Sequence, residues 1–182
     1  MNFSYKYKLS PTRKQEFLLE EILYTCRMLY NAALEERISY YHRYKKPIFY
    51  SDQAAQLPEI RESWNLKDKI HSQILQQVLK QNEVAFKRFF SGRKAGRDVG
   101  FPRYTGKYRS LSVCFPQPDP DLKLKRGVNI VQTEHSKNVK LEIYGVGKVK
   151  LIMHRPILGR CKQVRIKKEA DGYYAIFSCE EV

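Results

Sequence analysis

Residues 3–9 alternate, with Phe3, Tyr5, Tyr7 and Leu9 on one face and Ser4, Lys6 and Lys8 on the other. This is the period-two pattern of a half-buried strand. The next strand-like stretch begins only at residue 109, so the first strand is isolated in sequence. A lone strand must join a sheet to satisfy its backbone, and only the C-terminal half offers one. The order strand, helical block, strands predicts an α+β fold: a small β-barrel interrupted after its first strand by an inserted helical domain. The expected division is 1–10 plus 95–182 for the barrel and 11–94 for the insertion.

The helical block reads in three parts. Ser10-Pro11 supplies an N-cap and a proline for the first helical position. A helix then runs to about Arg43 with Leu18, Ile22, Cys26, Leu29, Ala33 and Tyr40 on one stripe. Pro47 interrupts the pattern, and a short helix from about Asp52 to Leu57 is expected to stop at Pro58. A second long helix spans about Lys67 to Ser91 and is ended by Gly92. Its stripe is Ile70, Ile74, Leu75, Val78, Leu79, Ala85, Phe86, Phe89 and Phe90, with Gln73, Gln76, Lys80 and Lys87 together on the opposite side.

Beyond a loop punctuated by Gly96, Gly100, Pro102 and Gly106, the chain reads as β. Strands are predicted at 109–115, 138–144, 147–153, 161–168 and 173–179. Turns fall at Gly145-Val146-Gly147, at Pro156 to Gly159 and at Asp171-Gly172, the last a two-residue hairpin.

Charge is segregated. Between Ala85 and Ser112 lie Lys87, Arg88, Arg93, Lys94, Arg97, Arg103, Lys107 and Arg109 against one acid, Asp98. Between Lys148 and Lys168 there are eight further basic residues and no acid. These two blocks account for the whole net charge of +15. Such a field suits a polyanion, because each phosphate contact releases condensed counterions. Solubility alone does not require two blocks. A hydrophobic content of 42% argues against disorder.

Catalytic chemistry is harder to find. His42, His71, His135 and His154 are scattered, and none pairs with another ligand at metal-site spacing. In Met153-His154-Arg155-Pro156 the histidine reads as structural or phosphate-contacting. Cys26, Cys114, Cys161 and Cys179 never form CxxC, which fits free thiols. Asp119 and Asp121 flank Pro120 as in a turn, and Glu35-Glu36 is an ordinary surface pair. No catalytic residue, metal or cofactor is expected. With no leader-like N-terminus and no membrane-length apolar run, the expected location is the cytoplasm, nucleoid-associated when bound to DNA.

The basic loop is richer. In Gly100-Phe101-Pro102-Arg103-Tyr104, followed by Lys107, Tyr108 and Arg109, aromatics interleave with cations that can stack bases and pair phosphates. Phe101 is expected in the core and Arg103 at a functional surface. Gln73, Gln76, Lys80 and Lys87 either read base edges or form a solvated polar face.

Several segments taken together carry a resemblance: YKYKLSPTRKQ, CRMLYNAALEERISYY, HSQILQQVLKQNEVAFKRFF, GFPRY and KVKLIMHRPILGRCKQVRIKKEADGYYAIFSCE. In this order, from about Tyr5 onward, the chain resembles the N-terminal half of TnpB proteins. These transposon-encoded RNA-guided nucleases are often labelled OrfB transposases and are related to type V CRISPR effectors. The resemblance implies a wedge-like, oligonucleotide-binding-like barrel and a helical recognition domain that together grip guide-type RNA and a duplex DNA with a short target-adjacent motif. It places catalysis in a following RuvC-like domain of three acids and two metal ions, with a zinc-binding insertion. Those acids and cysteine pairs are expected to be missing here.

Residue by residue, the resemblance implies DNA contacts for Tyr50, Ser72, Gln73, Gln76 and Gln117, and Lys80, on the same polar helix face as Gln73 and Gln76, is a further candidate. It makes Arg103, Lys107, Arg155, Arg160 and Lys162 candidates for RNA or heteroduplex backbone contacts. Three readings follow. The first is a non-catalytic binding module, acting as a regulator or surviving as a remnant of a transposon gene. The second is one half of a split endonuclease, completed by a RuvC-bearing polypeptide that would dock on an exposed apolar patch along the final strand. The third is a protein-interaction domain with an incidentally basic surface.

Overall fold

A computed structural model describes residues 2–107, 109, 112–116, 118, 127–132 and 138–181. The elements in chain order are β1 (Asn2–Ser10), α1 (Arg13–Tyr44), α2 (Tyr50–Ala54), α3 (Leu57–Ser63), α4 (Ser72–Lys94), β2 (Ser112–Phe115), β3 (Val128–Gln132), β4 (Val139–Ile143), β5 (Gly147–Ile152), β6 (Arg160–Glu169) and β7 (Gly172–Glu180). The strands form one curled antiparallel sheet in the order β2-β6-β7-β1-β5-β4-β3. The isolated first strand does join the C-terminal sheet, and it sits at its centre, paired with β7 and β5. Tyr5, Tyr7 and Leu9 are buried as the alternation requires, while Phe3 is half-buried.

The fold is α+β, and the expected small barrel takes the form of a curled half-barrel sheet. β2 and β3 are its edges, and no ladder joins them among the described residues. Helices cover the inner face instead. One core contains Leu19, Ile22 and Leu29 of α1, Ile74, Val78 and Leu79 of α4, and Val149, Val164, Ile166 and Phe177 of the sheet. Helical side chains fill the space that the far wall of a barrel would fill. Burying Leu or Phe side chains at about 2 kcal/mol each outweighs closing two short edges. α4 and α1 also pack against β2, shielding that edge.

Local chemistry corrects several boundaries. Thr12, not Ser10, caps α1. Its hydroxyl accepts from Gln15 N at 3.3 Å and the Gln15 amide accepts from Thr12 N at 3.0 Å, a reciprocal capping box. Leu18 is half-buried and Tyr40 exposed, whereas Leu19, Leu23, Leu34 and Arg37 are buried. Pro58 opens α3 instead of ending a helix, because a first-turn proline forfeits no intrahelical bond. α4 starts at Ser72, where the His71 Nδ1 accepts from Gln73 N at 3.2 Å. Gly92 lies inside α4. A Cβ there would stand 2.7 Å from Val99 Cγ2, so the glycine admits the following loop onto the helix.

In the β half, β3 was unforeseen, and the last hairpin turns on Ala170-Asp171 with Glu169 paired to Gly172. The buried alternation of Tyr173, Ala175 and Phe177 against Val164 and Ile166 sets that register. β7 lies inside the sheet, and none of its residues is among the large exposed hydrophobics. Among the described residues no helix is long and apolar enough to cross a membrane.

Candidate nucleic-acid interface

α1 and α4 pack side by side and leave an open groove of about 580 Å³ that reaches the β2–β6 edge of the sheet. Leu23, Cys26, Val78 and Ala85 supply its apolar walls, and Arg27, Lys80, Arg88 and Arg165 its charge. Among the described residues no carboxylate lines it. Arg88 comes from the first basic block and Arg165 from the second, so the fold brings the two blocks into one place. Four cations along low-dielectric walls focus a positive field. Gln77 and Gln81 add amide donors and acceptors, spaced with Lys80, Val84 and Arg88 along one face of α4.

Titratable groups here are tuned by burial more than by partners. The Cys26 thiol, 7% exposed, is pushed up to about 12, which leaves it unreactive. Burial also raises Tyr30, partly offset by the Arg109 guanidinium. The Tyr30 carbonyl accepts from Asn82 Nδ2 at 2.9 Å, fixing α1 against α4 below the groove.

The site residues expected from the sequence fall into three regions. Tyr50 is half-buried at the start of α2, and Lys80 Nζ stands 5.7 Å from the centre of its ring, a cation–π contact. Ser72, Gln73 and Gln76 are half-buried in the first turns of α4, outside the groove lining. Gln73 Oε1 is buried and lacks a hydrogen-bond partner among the described residues. Lys87, on the same predicted face, is exposed and pairs with Glu83 at 3.6 Å.

Arg103 and Lys107 are exposed on the loop after α4. That loop is strapped to α1: Asn31 donates to the Thr105 carbonyl at 3.1 Å and accepts from Thr105 N at 2.8 Å, and the Tyr104 hydroxyl donates to Glu35. Phe101 is half-buried, stacking on Phe89 at 4.6 Å against a second apolar cluster of Leu34, Phe86 and Phe89.

Arg155, Arg160 and Lys162 form the third region, at and after the β5–β6 turn. The Arg155 guanidinium lies 4.8 Å from the Tyr5 ring, and its carbonyl accepts from the Tyr7 hydroxyl at 3.0 Å. Arg160 is exposed opposite Glu180, and Lys162 pairs with Glu180 at 2.6 Å. Gln117, Asp119, Asp121 and His135 lie outside the described residues.

Sequence reasoning missed Arg27, Gln77, Gln81 and Arg165. For the helical residues the signal was available, since 77, 81, 84 and 88 repeat at helical spacing. For Arg165 it was not, because strand pairing alone puts it beside α4. Among the described residues no group of three or more His, Cys, Asp or Glu could hold a metal ion. His42 and His154 pack on Phe101 and Tyr7, each at 5.2 Å. The four cysteines are free thiols, with Cys161 and Cys179 opposite one another on β6 and β7.

Residues 1–46 match the helix-turn-helix domain of OrfB proteins of the IS605 type. Here that stretch folds as one strand and one uninterrupted helix, not as two helices joined by a turn. The chain is 28% identical over 180 residues to a protein of Escherichia coli (strain K12) provisionally named RNA-guided DNA endonuclease InsQ. That alignment covers 97% of the chain and 40% of the relative. A protein of Streptomyces pristinaespiralis, provisionally named RNA-guided DNA endonuclease, is 29% identical over 109 residues, covering 59% of the chain and 26% of the relative. The chain thus spans well under half the length of either relative; it is similar over residues 1–46 to OrfB proteins, and over nearly its whole length to a protein provisionally named as an RNA-guided DNA endonuclease.

Proposed function

We propose that the chain is the nucleic-acid-recognising, non-cleaving portion of a TnpB-like RNA-guided system, holding guide-type RNA and duplex DNA that carries a short target-adjacent motif. The observation that carries this reading is the α1–α4 groove, where cations from both basic blocks converge with no carboxylate among the described lining residues. Base pairing between guide and target supplies most of the sequence specificity, and the protein reads backbone shape and a short motif.

On this reading the helices of 11–94 present Tyr50, Ser72, Gln73, Gln76 and Lys80 to the DNA, and Gln117 is a further DNA contact. The segments 1–10 and 95–182 grip RNA through Arg103, Lys107, Arg155, Arg160 and Lys162. Lys80 serves both surfaces, since it lines the groove and covers the Tyr50 ring. Cleavage belongs to catalytic groups beyond those described here.

The test is to purify the chain from its native host at moderate salt and sequence the RNA that remains bound. One discrete structured RNA with a variable end is the expected result. Only salt-labile bulk nucleic acid would overturn the RNA-guided reading and leave a general polyanion binder.

A further inference from the structure

The last turns of α1 carry a second surface, separate from the groove. Tyr40 and Tyr44, one turn apart, have ring centroids 4.6 Å apart and planes inclined by 47°. They are 37% and 52% exposed and belong to neither apolar cluster. The Arg43 guanidinium lies 5.6 Å from the Tyr44 ring. Lys45 follows in the left-handed conformation that ends the helix (φ 55°), and Lys46 and Phe49 are exposed after it.

No acid occurs between Glu36 and Asp52. Glu36, the nearest carboxylate on this face of α1, accepts from the Gln53 and Gln56 amides at 2.8 and 2.9 Å. Tyr41 points the other way, against Phe90 and Phe101 at 5.6 and 5.9 Å, and anchors the helix end without help from Tyr40 or Tyr44. Two aromatic faces beside three cations are therefore left over from folding. The ligand that matches them has flat π-faces and regularly spaced anions. Bases inside a duplex have no free face, whereas unpaired bases do.

We infer that Tyr40, Arg43, Tyr44, Lys45 and Lys46 form a stacking platform for single-stranded nucleic acid. The tyrosine rings receive unpaired bases and the cations contact the adjoining phosphates. This rests on the nucleic-acid-binding reading above and adds to it a place for an unpaired strand.

The experiment uses the full chain, a fluorescent oligo-uridine containing 5-iodouridine, and a labelled duplex of mixed sequence. Photo-crosslinking followed by peptide mass spectrometry is expected to place the adduct on Tyr40 or Tyr44. The Y40L/Y44L chain is expected to bind the single strand about tenfold more weakly while retaining duplex binding, and Y40F/Y44F to bind like the parent. Adducts confined to other residues, or unchanged single-strand affinity in Y40L/Y44L, would overturn the platform while leaving duplex recognition standing. Failure of the unsubstituted chain to bind either probe would remove the nucleic-acid reading and the platform with it.

Discussion

Arg37 of α1 donates from Nη1 to Glu83 Oε2 of α4 at 2.7 Å, with the two side chains only 3% and 14% exposed. The guanidinium also donates from Nε to Gln53 at 2.7 Å and lies 5.4 Å from the Phe86 ring, so one side chain ties α1, α2 and α4 together. Removing one partner strands a charge out of water, at a cost of about 3–5 kcal/mol, whereas replacing both with apolar groups of similar volume can be neutral. Arg37→Ala and Glu83→Ala are therefore each expected to lower the unfolding free energy by about 3 kcal/mol. R37M/E83L is expected to lie closer to the parent than either single change. Urea unfolding of the four chains checks this, and additive losses in the double variant would contradict it.

A second prediction concerns the β4–β5 turn. Gly145 has φ 78°, and a Cβ on it would stand 2.0 Å from the Lys69 carbonyl oxygen. Gly96 has a similar φ of 73° with nothing within 4 Å. Both alanine variants incur left-handed strain, but only Gly145→Ala must also push apart two backbones. Gly96→Ala should cost about 1 kcal/mol and Gly145→Ala about 3 kcal/mol or more, read as the difference between their thermal or denaturant midpoints. Equal costs would mean that the turn can lift from Lys69 freely.

How much of this was legible beforehand depended on the range of the forces involved. The β1 alternation and the lone-strand argument led directly to the central strand, because burial and backbone pairing act on every residue of it. Phe101 was legible for the same reason. The capping box at Thr12 and Gln15 was present in the sequence but was outweighed by the more conspicuous Ser10-Pro11. Gly92 resembled a stop signal because its reason lies in Val99, a contact that no helical period encodes. Openness of the sheet was not legible, since it depends on α1 and α4 occupying the inner face. The meeting of Arg88 with Arg165 was hidden likewise, being set by the register of β2 on β6.

Stability should peak between two limits set by groups whose protonation the fold biases. Lys168 holds the Glu20 carboxyl below its ordinary 4.5, and Lys6 and Lys162 do the same for Glu169 and Glu180. A depressed carboxylate contributes stability that is present above its unfolded pKa and is lost as pH falls through the folded one. Burial moves Tyr7 and Tyr30 above 10.0 and Cys26 from 9.0 to about 12. These raised groups contribute stability that is intact below their unfolded values and is lost as pH rises beyond them. Melting temperature is therefore expected to be flat from pH 5 to 8, to fall below about 4.5 and to fall again above about 9. The Lys6, Lys162 and Lys168 pairs are exposed, so added salt should blunt the acid limb and leave the alkaline limb unchanged. A chain insensitive to salt below pH 4.5 would show that these pairs contribute nothing.

The groove makes the sharpest prediction, because its charge comes from two places in the sequence. Each cation that contacts a phosphate adds about one to the slope of log affinity against log salt concentration. Arg88→Ala and Arg165→Ala are each expected to reduce that slope by about one, and the double variant by about two, with either RNA or duplex DNA as the probe. Lys87→Ala is the control: it removes the same charge one residue from Arg88, but Lys87 is already paired with Glu83 and is absent from the groove lining. Its slope should match that of the parent. Equal reductions from all three substitutions would mean that the molecule binds through a diffuse positive field and that the groove has no special part. No reduction from Arg88 or Arg165, with binding otherwise intact, would move the interface to the Arg103–Lys107 loop or the Arg155–Lys162 turn, where the same slope measurement can be repeated residue by residue.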